Sequence, residues 1–167
     1  MLAYTFPGQP KEGGGIRVYF NPTDFYGSAR KWFSADDILF HELVHAYRDG
    51  TVGYAGNNFK AMNEYKTAEE LFALHMQNVY LANRGSPRFY RSYRSLQSVS
   101  KGTAYAYFAA DAEVLMAFRH FVDKDRLAKA VSRWMNPADS FNPWRDQPVL
   151  ERLYLRGTTG VGQLPPF

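Results

Sequence analysis

The apolar positions of this chain change period several times, and each change marks an element. Over "IRVYF", residues 16 to 20, Ile16, Val18 and Phe20 alternate with Arg17 and Tyr19, the period of two of a half-buried strand. The run from Ala35 to Arg48 contains no Gly or Pro. Ser34 with Asp37 three residues later resembles a capping box ahead of it, and Asp49-Gly50 supplies a stop, so a helix of about four turns is predicted. Residues 51 to 66, with Gly53, Gly56, Asn57 and Asn58, read as a loop. Thr67 with Glu70 makes a second capping box and opens a helix through Leu81, ended by Asn83-Arg84-Gly85 and Pro87. "DAEVLMAFRHFV" (111 to 122) and "DRLAKAVSRWM" (125 to 135) place Val114, Leu115, Phe118, Phe121, Leu127, Val131 and Trp134 at helical spacing. Both read as core helices, the second ended by Pro137. The tail from 136 reads as irregular chain packed back on the body.

These elements predict a compact, mainly helical α+β domain with a small edge sheet, a single domain over residues 16 to 167. Residues 1 to 15, with Pro7, Gly8, Pro10 and Gly13 to Gly15, read as a flexible lead-in, as if a domain were attached to something larger. The chain of 167 residues, 46% hydrophobic and 22% charged, has the size and composition of one globular domain. It has no cysteine, which excludes a disulfide framework and any thiolate metal site, so a zinc ion would need His, Asp or Glu ligands. A formal net charge of +4 is modest for a dedicated nucleic-acid binder, and nucleic acid is not expected as a partner. No apolar run approaches the ~20 residues of a membrane span, and the start lacks the pattern of a cleaved signal peptide. The stretch from 84 to 101 carries five positive charges and no acid, interleaved with Phe89, Tyr90 and Tyr93. A solvated connection is the simpler reading of it than a surface for an anionic ligand.

The strongest chemical signal is "DDILFHELVHAYRDG", residues 36 to 50. Side chains four apart lie one turn apart on one helix face, so His41 and His45 can turn ring nitrogens toward one cation. Glu42 projects to the side of this pair, where it can take a proton from a water at an open coordination position. Ile38, Leu39, Phe40, Leu43, Val44 and Ala46 leave only a narrow polar stripe of Asp37, His41, His45 and Arg48. Burying that stripe without partners costs several kcal/mol, a difficulty that a bound metal removes. The competing account is a helix carrying two satisfied core histidines.

A zinc site that hydrolyses wants three protein ligands and an open position, so a third ligand must come from elsewhere. Glu69 and Glu70, 24 and 25 residues after His45, fit a return helix packed against the first. Glu70 is the preferred ligand, with Ala73 one turn later allowing close approach. If Glu70 merely closes the Thr67 capping box, Glu69 takes its place. His75 lies away from Glu70 on the helix wheel and reads as a core or supporting residue, and His120 as an ordinary packed histidine. An oxyanion donor is left open among Arg48, Tyr47, Tyr105 and Tyr107.

"HELVHAYR", "EELFALHMQNVYLANRG" and, near the end, "SFNPWR" together resemble the bacterial effector metallopeptidases, including NleD-like type III effectors and metallopeptidase domains on type VI secretion spike proteins. The resemblance spans residues 34 to 85 plus Asn142 to Arg145. It implies a zincin-like fold with one zinc ion, His41 and His45 as ligands, a glutamate of the 69–70 pair as third ligand and Glu42 as base. It further implies a toxin or host-protein cleaving enzyme, secreted by a non-Sec route into the periplasm or cytosol of a target cell. A protein or peptide substrate, a secretion-apparatus carrier and an immunity protein are the partners that go with it. The expected reaction is peptide hydrolysis, with an extended substrate adding beside the 16 to 20 strand at the cleft rim. The alternatives are a catalytically silent module in which zinc only ties two helices together, and hydrolysis of a non-peptide amide.

Overall fold

The computed structural model describes residues 3–7, 16–21, 34–52, 61–62, 65–92, 98–134 and 140–157. Among these it is an α+β protein dominated by six helices, with three two-stranded antiparallel ladders. The chain forms two compact units, Met1–Leu81 with Ser92–Leu96, and Ala82–Arg91 with Gln97–Phe167. Buried apolar side chains occur in both units, among them Leu71, Phe72 and Leu74 in the first and Phe108, Phe118 and Trp144 in the second.

In the first unit, β1 (Ala3–Pro7) pairs antiparallel with β2 (Ile16–Phe20), Thr5 opposite Val18. The expected strand is therefore present, but Ala3–Pro7 is its ladder partner and not part of a flexible lead-in. Residues 8 to 15 lie outside the described residues. The ladder packs on α1 (Ala35–Val52), whose start follows the capping pattern: the Ser34 N–H donates to Asp37 Oδ2 at 2.6 Å and the Asp37 N–H to the Ser34 carbonyl. The helix runs through Gly50, where a stop is expected. Gly50 serves instead as a place of close approach, because a Cβ there would stand 3.2 Å from Ile16 Cδ1. Thr51 Oγ1 donates to the Tyr47 carbonyl and extends the last turn.

Within the expected loop, β3 (Ala61–Met62) and β4 (Lys66–Thr67) form a short ladder leading into α2 (Ala68–Asn83). The rest of that loop, residues 53–60 and 63–64, lies outside the described residues. The α2 helix carries no charge between Glu70 and Asn83, and it is buried on nearly every side from Leu71 to Leu81. Gly85, at φ +75°, closes the turn with its N–H donating to the Ala82 carbonyl, as the Asn83-Arg84-Gly85 stop predicts.

The second unit opens with β5 (Arg88–Tyr90) paired with β6 (Ser98–Ser100), inside the basic stretch. That stretch is less solvated than expected, since Phe89 and Tyr90 are buried and the Arg91 guanidinium lies 4.0 Å over the Tyr107 ring. Tyr93 falls outside the described residues. Next come α3 (Lys101–Ala109), with no counterpart in the apolar pattern, and α4 (Ala112–Lys124) and α5 (Arg126–Ser132), close to expectation. Asp125 joins the last two: its N–H donates to Phe121 at the end of α4, and its carboxylate accepts from Leu127 and Ala128 at the start of α5. Val114, Leu115, Phe118 and Phe121 are core as expected, while Leu127 and Val131 are half-buried and Trp134 is 51% exposed. Pro137 lies outside the described residues.

The tail also departs from expectation, forming α6 (Gln147–Gly157) with Leu150 buried. Pro148 sits in its first turn, where the missing N–H costs nothing, and Asp146 accepts from the N–H groups of Val149 and Leu150. Among the described residues no helix is long and apolar enough to cross a membrane.

Candidate metal centre

The α1 helix turns its polar stripe inward. Asp37, His41, His45 and Arg48 are all buried, whereas Leu43 and Tyr47 are about half exposed at 49% and 48%. A helix that buries four polar side chains and exposes apolar ones is stable only if the polar groups find partners. The start of α2 supplies them, because Glu69 and Glu70 fall in its first turn, where the helix dipole favours carboxylates. Thr67 Oγ1 accepts the Glu70 N–H at 3.2 Å, but the Thr67 N–H goes to the Tyr65 carbonyl. The Glu70 side chain is therefore not spent on closing the capping box.

It points to the histidines. Glu70 Oε2 lies 3.2 Å from His41 Nε2 and 3.5 Å from His45 Nε2, and the two Nε2 atoms are 3.1 Å apart. Among the described residues, His41, His45 and Glu70 are the group able to hold a metal ion. A tetrahedral ion with bonds of about 2.0–2.2 Å separates its ligand atoms by roughly 3.3–3.6 Å, so this triangle fits with adjustments of a few tenths of an ångström. The donor chemistry also fits, since the two imidazole nitrogens, once an ion displaces their protons, and a carboxylate oxygen can each offer it a lone pair.

The electrostatics favour positive charge there. Burial by itself lowers the His45 pKa, but its bonds to Glu69 and Glu70 and their charges push it up to about 9. Burial raises the Glu70 carboxyl, yet the bonds and charges of His41 and His45 hold it down to about 2.

Glu69 takes a different place. Its Oε1 accepts from His45 Nδ1 at 3.2 Å and from Arg48 Nε at 3.0 Å, and its Oε2 from Arg48 Nε at 2.7 Å. Both oxygens are engaged away from the triangle, which separates the two glutamates that the sequence leaves as alternatives. Arg48, one of the oxyanion candidates, spends its Nε on this carboxylate. Glu42 lies partly exposed on the flank of α1, between the buried stripe and the open face. Tyr47 is on the exposed side, while Tyr105 and Tyr107 belong to the second unit, where Tyr105 donates to Asp146 and receives the Asn142 N–H at 3.3 Å. The burial of Tyr105 and its bond to Asp146 push its pKa up.

The other histidines stand apart from the group. His120 is exposed, with Phe121 edge-on at 5.9 Å, and not the packed residue expected, because its face of α4 is turned to solvent. His75 is fully buried in a polar cluster, its Nε2 3.4 Å from the Tyr65 hydroxyl and its Nδ1 3.3 Å from Asn78 Nδ2. Burial holds its pKa down to about 3 from 6.5. A histidine kept neutral in the native state takes up its proton only on unfolding, so this stability is full above about pH 6.5 and lost as pH falls toward 3. Urea unfolding of wild type and His75→Leu at pH 7.5 and 5 checks this. The variant is expected to lose up to about 1.4 kcal/mol of slope per pH unit, and equal slopes would refute the assignment.

The third resemblance motif plays a packing part. Within the second unit, Asn142 Nδ2 donates to the Val131 carbonyl, Asn142 Oδ1 accepts the Arg145 N–H, and Arg145 Nη2 bonds the Ser140 carbonyl. Trp144 and Phe141 are buried in that unit's core. No family model, curated protein or solved structure matches the chain.

Proposed function

We propose that this chain is a zinc-dependent metallopeptidase of the zincin type, with His41, His45 and Glu70 as ligands and Glu42 as general base. The observation that carries the reading is the triangle of His41 Nε2, His45 Nε2 and Glu70 Oε2, built from an HExxH helix and a second helix. Three donors leave a coordination position for a substrate or water, as hydrolysis requires. A silent, zinc-tied module would want a fourth, and among the described residues the group has three members.

Bound there, a zinc ion supplies a Lewis acid that polarises a carbonyl and acidifies water. Glu42 takes one proton from the attacking water as its oxygen bonds the carbonyl carbon, then delivers that proton to the departing amine nitrogen as the C–N bond breaks. The second proton of the water passes from the new carboxyl group to the amine, so the products are a carboxylate and an ammonium group. The resemblance of residues 34 to 85 to effector metallopeptidases supports a bacterial toxin or effector acting on a protein in a target cell, reached by a non-Sec secretion route.

Protein purified without chelators is expected to hold a single zinc ion per chain, and chelation to abolish cleavage in a proteome-wide digest. A protein free of metal under conditions that do not strip zinc would refute this function. Zinc without any cleavage would favour the silent module.

A further inference from the structure

Glu69 and Arg48 are buried, charged and absent from both the metal triangle and the proton path. A carboxylate only accepts, so its contact with His45 Nδ1 at 3.2 Å requires that nitrogen to donate, and once a bound ion displaces the other ring proton the lone pair is on Nε2, the atom at the triangle. Arg48 holds Glu69 from the far side, with Nε 2.7 Å from Oε2, and its guanidinium carbon lies 3.9 Å over the Phe72 ring. Arg48, carried on α1, is thus held by two side chains of α2. Glu69 and Glu70 are neighbours in one helical turn, and both reach His45. Which of them is free to ligate depends on what restrains the other.

We infer that Arg48 and Glu69 form a positioning pair for the metal centre, in which Arg48 anchors Glu69, and Glu69 fixes the His45 ring with Nε2 presented to the ion while remaining out of the ligand set itself. The pair acts through His45 and touches no reacting atom. The inference rests on the proposed metal centre, and it assigns the two glutamates of one doublet opposite tasks.

The test uses full-length Arg48→Met, Arg48→Lys, Glu69→Gln and the Arg48→Met/Glu69→Gln double variant. Zinc affinity is measured by competition with a chromogenic chelator, and the ligand field by the visible absorption of the Co2+-loaded protein. Arg48→Met and Glu69→Gln are each expected to weaken zinc about 10- to 100-fold and to shift the Co2+ bands. The double variant is expected to be no weaker than the worse single one, because both changes break the same chain of contacts. Arg48→Lys, which keeps a cation against Glu69, is expected to recover part of the affinity. Circular dichroism of the metal-free forms separates this from loss of fold, and if Arg48→Met does not fold, Glu69→Gln and Arg48→Lys decide. Folded variants with wild-type zinc affinity and an unchanged Co2+ spectrum would overturn the positioning pair while leaving the metal centre standing. Fully additive losses in the double variant would also overturn it. A wild-type protein that binds no zinc removes the centre itself.

Discussion

Replacing Glu42 with Gln is expected to lower peptide hydrolysis by about 10²- to 10⁴-fold while the protein keeps its zinc, the loss usual for removing a positioned general base. The amide has nearly the shape of the carboxylate but cannot take the proton of the attacking water. Metal should stay because the triangle is made by His41, His45 and Glu70, with Glu42 on the flank of the same helix. Zinc content and initial cleavage rates, measured on the same preparation, separate the possibilities. Unchanged turnover would remove Glu42 from the mechanism. Loss of zinc together with activity would make it a ligand and reopen the donor set. His45→Ala is the counterpart, expected to lose metal and activity together.

Trp144→Ala is expected to cost the second unit about 3–5 kcal/mol, the range for deleting a buried aromatic side chain. Trp144 is 1% exposed and meets the ring of Phe118 edge-on at 5.0 Å and that of Phe121 at 6.1 Å. Since a domain's whole stability is roughly 5–15 kcal/mol, such a loss takes a large fraction of it. Urea unfolding followed by circular dichroism reads the change, with Trp134→Ala as the control. Trp134 is half exposed, and its truncation is expected to cost less than about 1 kcal/mol. Similar losses at the two positions would contradict the burial assigned to them. The comparison also bears on "SFNPWR", which in this structure holds the second unit's core together and belongs to a different unit from the metal triangle.

The two tryptophans show how far the apolar pattern reaches. Trp134 lies at core spacing on its helix, yet α5 ends at Ser132 and leaves it outside. Leu43 and Tyr47 are similar, because α1 alternates apolar and polar stripes and nothing in the spacing says which stripe faces inward. The partner decides: α2 begins with two carboxylates, and the polar stripe of α1 meets them. The α6 helix was hidden by Pro148, which reads as a breaker but is harmless in a first turn. The β1 strand was hidden by the Pro and Gly residues that follow it.

Local spacing alone placed His41, Glu42 and His45 on one helix, since a period of 3.6 residues dictates which side chains share a face. The caps at Ser34 and Thr67 were equally legible, because a cap is a matter of three or four consecutive residues. The Glu69–Glu70 doublet was visible as a candidate source of a third ligand, and local pattern favoured Glu70 through Ala73 while the Thr67 capping box left Glu69 open. Only the tertiary structure decides between them, by setting Arg48 against one and the paired imidazoles against the other. Which carboxylate is left over for a metal depends on charges brought together across 21 to 29 residues of chain, an arrangement that exists only once the two helices have packed.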